Sequence, residues 1–229
     1  RLGDDPFKHP KEIWDLAPSP SASDLLFTTY RDPTPDKPLT FHSSLWKFEH
    51  HSCSLKELTT LTHSSSIKRL RWNQSGDTVA TLNDSFISIL DVESTSVIQN
   101  ETKIGENIRE GNVLAWEPHF THQVAVGTGT NSIQSWDTRA NCIAWEISSV
   151  HTQQVLDIDF NPNLPYTLAS AGDDCTIKFW DYKKPSEPVE IMQLSSHSHW
   201  VWNAKYNLEY DELLVSCSSD SFVNLWDVT

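Results

Sequence analysis

The sequence predicts an all-β fold made of small repeated sheets, on two spacings and one recurring ending. The segments VLDIDFNPNLPYTLASAGDDCTIKFWD (Val155 to Asp181) and VWNAKYNLEYDELLVSCSSDSFVNLWD (Val201 to Asp227) follow one plan. Each reads as an alternating apolar strand, a polar turn, a second strand ending in small residues, an Asp-bearing turn and a third strand ending Trp-Asp. On that ending, Trp46, Leu90, Trp136, Trp180 and Trp226 fall in register at steps of 44, 46, 44 and 46 residues. A second ruler on the first strand, Trp72, Trp116, Phe160 and Tyr206, steps by 44, 44 and 46.

A period near forty-five with a Trp-Asp ending is that of the WD40 β-propeller, whose blades are four-stranded sheets. The rulers place five blades at approximately 9–50, 63–97, 107–148, 151–194 and 197–229. The first is longer between its second and third strands, where the prolines of Asp32 to Pro38 read as a loop outside the sheet. Residues 94–109 and 182–188 read as outer-strand and linker stretches. Five blades are fewer than the seven usual in WD40 propellers, and an open arc would expose a sheet edge at each end, so one or two blades are expected to lie outside these 229 residues.

Composition limits the function classes. Lys plus Arg number 17 against 31 Asp plus Glu, a formal charge of −14, which repels a phosphate backbone. The short basic run Lys68, Arg69, Arg71 reads as a solvated strand edge. Cys53, Cys142, Cys175 and Cys217 form no CxxC pair, so neither a zinc site nor a disulfide framework is expected. His50 and His51 with Cys53 read as polar interblade loop rather than metal ligands. No apolar run is long enough to cross a bilayer. The expectation is a cytoplasmic chain with no cofactor, metal, nucleic acid or small-molecule substrate, and with protein partners.

A buried tetrad of His, Ser or Thr, Asp and Trp is the polar signature of this fold, because the four groups can satisfy one another away from water. In the fourth repeat the spacing assigns His151, Ser170, Asp174 and Trp180, and in the fifth His197, Ser216, Asp220 and Trp226. The second repeat keeps His63 and Asp84 but has Leu90. The third keeps Trp136 with Asn107 and Thr130 at the His and Asp places. The first keeps His9 and Trp46 with Thr40 at the Asp place. A Ser, His and Asp together also suit a hydrolase triad. Here the trio recurs at the repeat period beside a Trp, which assigns it to structure, and no other catalytic or phosphate-binding motif occurs.

Candidate docking residues follow from two kinds of position that face the rim of such a blade. One lies three residues after the tetrad His (Glu12, Ser66, Gln154, Trp200); the other precedes the tetrad Asp (Asn83, Gly129, Asp173, Ser219). Trp14 and Trp202 lie two residues beyond the first kind. An exposed Trp is a typical interface anchor. Trp200 reads equally as an anchor or as interblade packing, and Trp14 and Trp202 more as packing. With Glu12 and Asp173 beside them, this face favours a basic or polar peptide.

The stretches EIWDLAPSP with LLFTTY (Glu12 to Tyr30), DIDFNPN with LASAGDDCTIKFWD (Asp157 to Asp181) and SHSHWVWNAKYN (Ser196 to Asn207) resemble one WD40 family, the EARP- and GARP-complex-interacting proteins. GNVLAWEPH and SWDTR fit as well, while residues 50–110 diverge. The resemblance implies a seven-bladed propeller, with its first blade before Arg1 and its last beyond Thr229, that associates with multisubunit vesicle tethers. It also implies a role in endosomal recycling and endosome-to-Golgi transport, with recruitment to endosomes or the trans-Golgi network. Two rival readings stay open. Trp136-Asp137-Thr138-Arg139 makes the WDxR sequence of cullin-type ubiquitin-ligase substrate receptors, in which the Arg meets the adaptor, and an acidic rim also suits a histone-tail or other peptide reader.

Overall fold

The computed structural model describes residues 9, 11–32, 40–49, 54–63, 65–93, 97–105, 108–184 and 186–228. The Pro-rich 33–39 stretch, His50, His51, Cys53 and Asn107 lie outside the described residues. All regular structure among the described residues is β-strand, and no helix there could cross a membrane. The chain forms two compact units, residues 1–103 and 104–229.

The first unit carries two antiparallel sheets. One runs β1 (Glu12–Pro18), β2 (Leu25–Asp32), β3 (Thr40–Glu49) and β4 (Ser54–His63); the other runs β5 (Arg69–Trp72), β6 (Thr78–Leu82), β7 (Ile87–Glu93) and β8 (Val97–Ile104). The first sheet therefore reaches His63 rather than ending near residue 50. Strand β4 pairs with β3 from Glu49↔Ser54 back to Phe41↔His63 and so belongs to the same blade.

The second unit carries three sheets, ordered β9 to β12, β13 to β16 and β17 to β19. Their strands are β9 (Gly111–Trp116), β10 (Gln123–Thr128), β11 (Ser132–Asp137) and β12 (Cys142–Ser148). Next come β13 (Val155–Phe160), β14 (Thr167–Gly172), β15 (Ile177–Asp181) and β16 (Val189–Leu194). The last three are β17 (Val201–Tyr206), β18 (Leu213–Ser218) and β19 (Val223–Asp227).

Side-chain size explains how neighbouring sheets pack. In β14, TLASAG, five of six residues are buried, because small side chains let a sheet be covered on both faces. Strand β16, at the outer edge, is mostly exposed. One apolar cluster joins the fourth and fifth sheets through Ala169, Ala171, Ile177 and Phe179 against Val201, Ala204, Tyr206 and Leu214.

First strands of adjacent sheets are also joined by a carboxylate clamp. Asp157 on β13, 1% exposed, accepts from the Ala204 amide and from Lys205 Nζ, both at 3.0 Å. In the first unit Asp15 on β1 holds the Leu70 amide and Arg71, both at 2.8 Å. Asp15 and Asp157 occupy the same place in their repeats, as do Arg71 and Lys205. The cation thus pairs with a carboxylate that also satisfies a backbone N–H, which offsets the cost of burying it.

A β-bulge recurs in three first strands, between Ile13 and Asp15, Val155 and Asp157, and Val201 and Asn203. The extra residues are Trp14, Leu156 and Trp202. A bulge leaves its extra residue out of the ladder and re-aims the side chain. This is the local reason that two tryptophans stand out from first strands.

Candidate functional site

In the fourth sheet His151 Nδ1 lies 3.0 and 3.1 Å from the Asp174 carboxylate oxygens, and His151 Nε2 lies 2.9 Å from Ser170 Oγ. Trp180 Nε1 donates to the same hydroxyl at 3.0 Å. With Nδ1–H given to the carboxylate, Nε2 is an acceptor, so the hydroxyl donates to it and accepts from the indole. The fifth sheet repeats this: His197 to Asp220 at 2.8 Å and to Ser216 at 2.7 Å, with Trp226 Nε1 donating to Ser216 at 2.8 Å. Gly172 is required where it stands, since a Cβ there would meet the His151 ring at 2.4 Å.

These serines are not nucleophiles open to a substrate. Ser170 is fully buried and Ser216 is 1% exposed, and each hydroxyl is already engaged on both sides. Burial pushes the Asp174 carboxyl upward, but hydrogen bonds from His151 and Thr176 outweigh it and hold the group well below the usual range. Asp220 is shifted the same way, down to about 2, where backbone bonds from Phe222 and Ser198 and the His197 contact outweigh desolvation.

The other repeats depart from this in ways the structure explains. In the first sheet Trp46 Nε1 donates to Thr28 Oγ1 at 2.9 Å, and Thr28 lies 3.3 Å from His9 Nε2. His9 Nδ1 meets the Lys11 carbonyl at 2.9 Å instead of an Asp. Thr40 bonds His42, so Thr28 is the hydroxyl member, and no Asp among the described residues meets His9. In the second repeat His63 bonds Ser43 of the first sheet at 2.7 Å, and Asp84, 63% exposed at its side chain, pairs with Lys68. In the third, Val126 holds the place of Ser170: each lies two residues past the partner of the repeat Trp, in Val124↔Trp136 and Leu168↔Trp180. With no hydroxyl there, Trp136 Nε1 is buried without a hydrogen-bond partner. Thr130, at the Asp place, joins a hydroxyl cluster with Thr128 and Ser132.

The candidate docking residues separate into two groups. Trp200 is 46% exposed and Trp202 45%, their rings edge to face at 5.6 Å, with His199 tilted against Trp200 at 5.2 Å. Trp202 Nε1 donates to Ser219 Oγ at 2.5 Å, and the Ser219 amide bonds the Trp200 carbonyl. Asp173 accepts from the Gln154 amide at 3.0 Å, and the Gln154 side chain is met by Asn112. In the first unit Trp14 is 55% exposed, with the Arg31 guanidinium 5.5 Å from its ring and Glu12 pairing Arg31 at 2.7 Å. Ser66 is half-buried.

Asn83, expected at the rim, does not face it. It is 6% exposed, its carboxamide oxygen accepts from the Ser85 and Phe86 amides, and its nitrogen bonds Ser65. It shapes a turn rather than the rim. The basic run is spoken for as well: Lys68 pairs with Asp84, Arg71 with Asp15, and Arg69 bonds the Lys68 carbonyl. Arg139 of the WDxR sequence is 67% exposed and lies 3.6 Å from Asp137, whose other oxygen caps the turn through the Arg139 and Ala140 amides. No cluster of metal-ligating side chains occurs among the described residues.

Antiparallel sheets of three or four strands, the Trp-ended repeat and the His-Ser-Asp-Trp wiring define a β-propeller of the WD-repeat class. The chain matches the EIPR1 beta-propeller family over residues 4–226 and belongs to it. It is 33% identical to EARP and GARP complex-interacting protein 1 of Homo sapiens over 93% of this chain and 60% of that protein. It is 31% identical to WD repeat-containing protein DWA2 of Arabidopsis thaliana over 96% of this chain and 63% of that protein. It is 27% identical to EARP-interacting protein 1 of Caenorhabditis elegans over 98% of this chain and 63% of that protein. The chain thus spans about 60% of the length of the curated relatives it matches.

Proposed function

We propose that this chain is a non-catalytic protein-interaction scaffold that associates with EARP- and GARP-type tethering complexes. In this reading it serves endosomal recycling and endosome-to-Golgi transport from the cytoplasm, recruited to endosomes or the trans-Golgi network through its partners. One observation carries the choice of scaffold over enzyme. The Ser and His side chains that could do chemistry are buried and engaged with one another and with their Asp partners, whereas Trp200 and Trp202 expose nearly half of their surface. Aromatic anchors at a rigid rim supply the contact area of interface hot spots. Likeness to relatives named for EARP and GARP interaction supports the choice of partner.

The test is affinity purification of the full-length tagged protein from cells with quantified tether subunits, beside a Trp200→Ala variant. Co-purification of the complete tethers, reduced at least about tenfold by the variant, is the expected result for loss of one anchor. Absence of tether subunits, or recovery of a ubiquitin-ligase adaptor that Arg139→Ala abolishes, contradicts it.

A further inference from the structure

Two junctions inside the second unit are built from the same places in the repeat and are filled differently. Between the third and fourth sheets, Trp145 and Tyr182 stack at 4.4 Å and 25°. Phe160 meets both rings edge on, at 6.4 and 6.0 Å, and Tyr166 packs on Tyr182 at 5.9 Å. The polar atoms are placed too, since Tyr182 donates to Glu117 and Trp145 Nε1 to Gln123. Trp145, Phe160 and Tyr182 are 6%, 5% and 2% exposed, so this junction is closed.

Between the fourth and fifth sheets the same frame stands open. Met192 pairs across from Phe179 as Trp145 pairs across from Ser135. The Val228 amide bonds the Glu212 carbonyl as the Tyr182 amide bonds that of Tyr166. Met192, Val228 and Glu212 therefore stand where the other junction has Trp145, Tyr182 and Tyr166. Replacing three aromatic rings by a thioether, an isopropyl group and a carboxylate leaves a cavity of about 320 Å³. Phe179, Tyr206 and Met192 line it, and Leu164 and Ile191, also lining it, are 55% and 56% exposed.

We propose that this groove takes an aromatic side chain of a partner peptide with a basic residue beside it. The aromatic preference follows from the frame, which in the neighbouring junction is filled by stacked rings. The basic preference follows from charge, because Asp211 and Glu212 line the groove and, among the described residues, no Lys or Arg does. Asn163 Nδ2 holds Asp211 at 2.9 Å. That bond and a lesser one from Asn161 outweigh the small cost of burial and keep the carboxyl below its ordinary range, hence ionised. An apolar ring against Phe179 and Met192 gains burial, and the adjacent cation gains Coulomb attraction and steering. The site is separate from the Trp200 rim and does not depend on which complex the scaffold joins.

Met192 is the single methionine of the sequence, so its labelled methyl resonance reports groove occupancy without any substitution. Peptides are selected from a displayed random library on the wild-type chain and then titrated against the methyl-labelled protein. The expected peptides share an aromatic residue next to Lys or Arg and shift the Met192 methyl resonance through the ring current. Met192→Trp, which copies the closed junction, lowers their affinity at least about tenfold, and Val228→Tyr does the same from the other wall if the first variant does not fold. Asp211→Asn with Glu212→Gln weakens them more at low salt than at high. A library that yields no aromatic–basic peptide overturns the proposal. So do selected peptides that leave the Met192 resonance unmoved at saturation, or that lose binding on Trp200→Ala but not on filling the groove.

Discussion

The third and fourth sheets share a period, a strand order and a tryptophan in the same place with its indole N–H turned inward, yet only the fourth connects that N–H to anything. Trp180 reaches Ser170, Ser170 reaches His151, and His151 reaches Asp174. Trp136 has Val126 where the hydroxyl would be, and its indole N–H is left alone. The third sheet still contributes to its neighbour, because Asn131 accepts the His151 amide and fixes the loop that carries the tetrad histidine. The repeat period therefore specifies the sheet, while the polar wiring is an additional and separable layer. A sheet can lose its wiring and keep its fold if apolar burial is sufficient. That is why these Ser, His and Asp residues report on stability rather than on chemistry.

The largest effect is expected when the third sheet's residue is imposed on the fourth. Ser170→Val removes the partner of both His151 Nε2 and Trp180 Nε1, and is expected to cost about 3 kcal/mol, two unsatisfied buried groups. The midpoint of urea unfolding measures it. Next in size is the clamp that joins the fourth and fifth sheets. Asp157→Ala leaves the Ala204 amide without its acceptor and Lys205 with only its remaining contacts, and is expected to cost about 2 kcal/mol in the same assay, since Lys205 is partly solvated.

The reverse exchange sharpens the contrast at smaller amplitude. Val126→Thr offers Trp136 an acceptor and should stay within about 0.5 kcal/mol of wild type. Val124→Thr, equally buried on the same strand face but with no orphaned indole N–H to receive, should cost about 1–2 kcal/mol. Equal costs for the two valines would remove the argument that a missing hydroxyl is what separates the sheets.

The pH dependence follows from the same wiring. Asp174 and Asp220 have folded-state pKa values depressed below the ordinary 3.8, so the stability they contribute is present above that value and is lost as pH falls through the folded value. The contribution of these two carboxylates to the melting temperature should be steady above about pH 4 and fall away towards pH 2, and Asp174→Asn should flatten part of that acid limb. Glu117 has the opposite sign. Its burial raises the pKa despite the Tyr182 hydrogen bond, so its contribution is present below 4.5 and is lost as pH climbs through the raised value. Glu117→Gln should make the transition less sensitive on that side.

Much of this organisation is legible in the sequence, for identifiable reasons. Trp180, Ser170, Asp174 and His151 keep the offsets of Trp226, Ser216, Asp220 and His197, so periodicity alone assigns them. The same counting fails at Thr28, because the hairpin of β2 and β3 pairs as far as Asp32↔Thr40 and moves the hydroxyl eighteen residues ahead of Trp46 rather than ten. Strand β4 lies beyond the repeat tryptophan Trp46, where no ruler reaches. The clamp from Asp157 to Lys205 spans 48 residues and two sheets, which no local window detects. Trp14 and Trp202 read as packing residues until the bulges are seen: Trp202, Ala204 and Tyr206 alternate in sequence, and only the extra residue shifts that alternation and turns Trp202 out of the buried face. Asn83 fails in the other direction: it fits the rim position by counting, but its carboxamide is consumed by its own turn.

The separation of wiring from working surface is tested most directly by one paired measurement on Ser170→Ala and Trp200→Ala. Melting temperature and affinity for the purified tethering complex are read on the same samples, with affinity expressed per folded molecule. Ser170→Ala should lower the melting temperature and leave that affinity within about twofold, while Trp200→Ala should leave the melting temperature and weaken affinity by about tenfold or more. A Trp200→Ala protein that melts early and still binds at full strength would contradict the account.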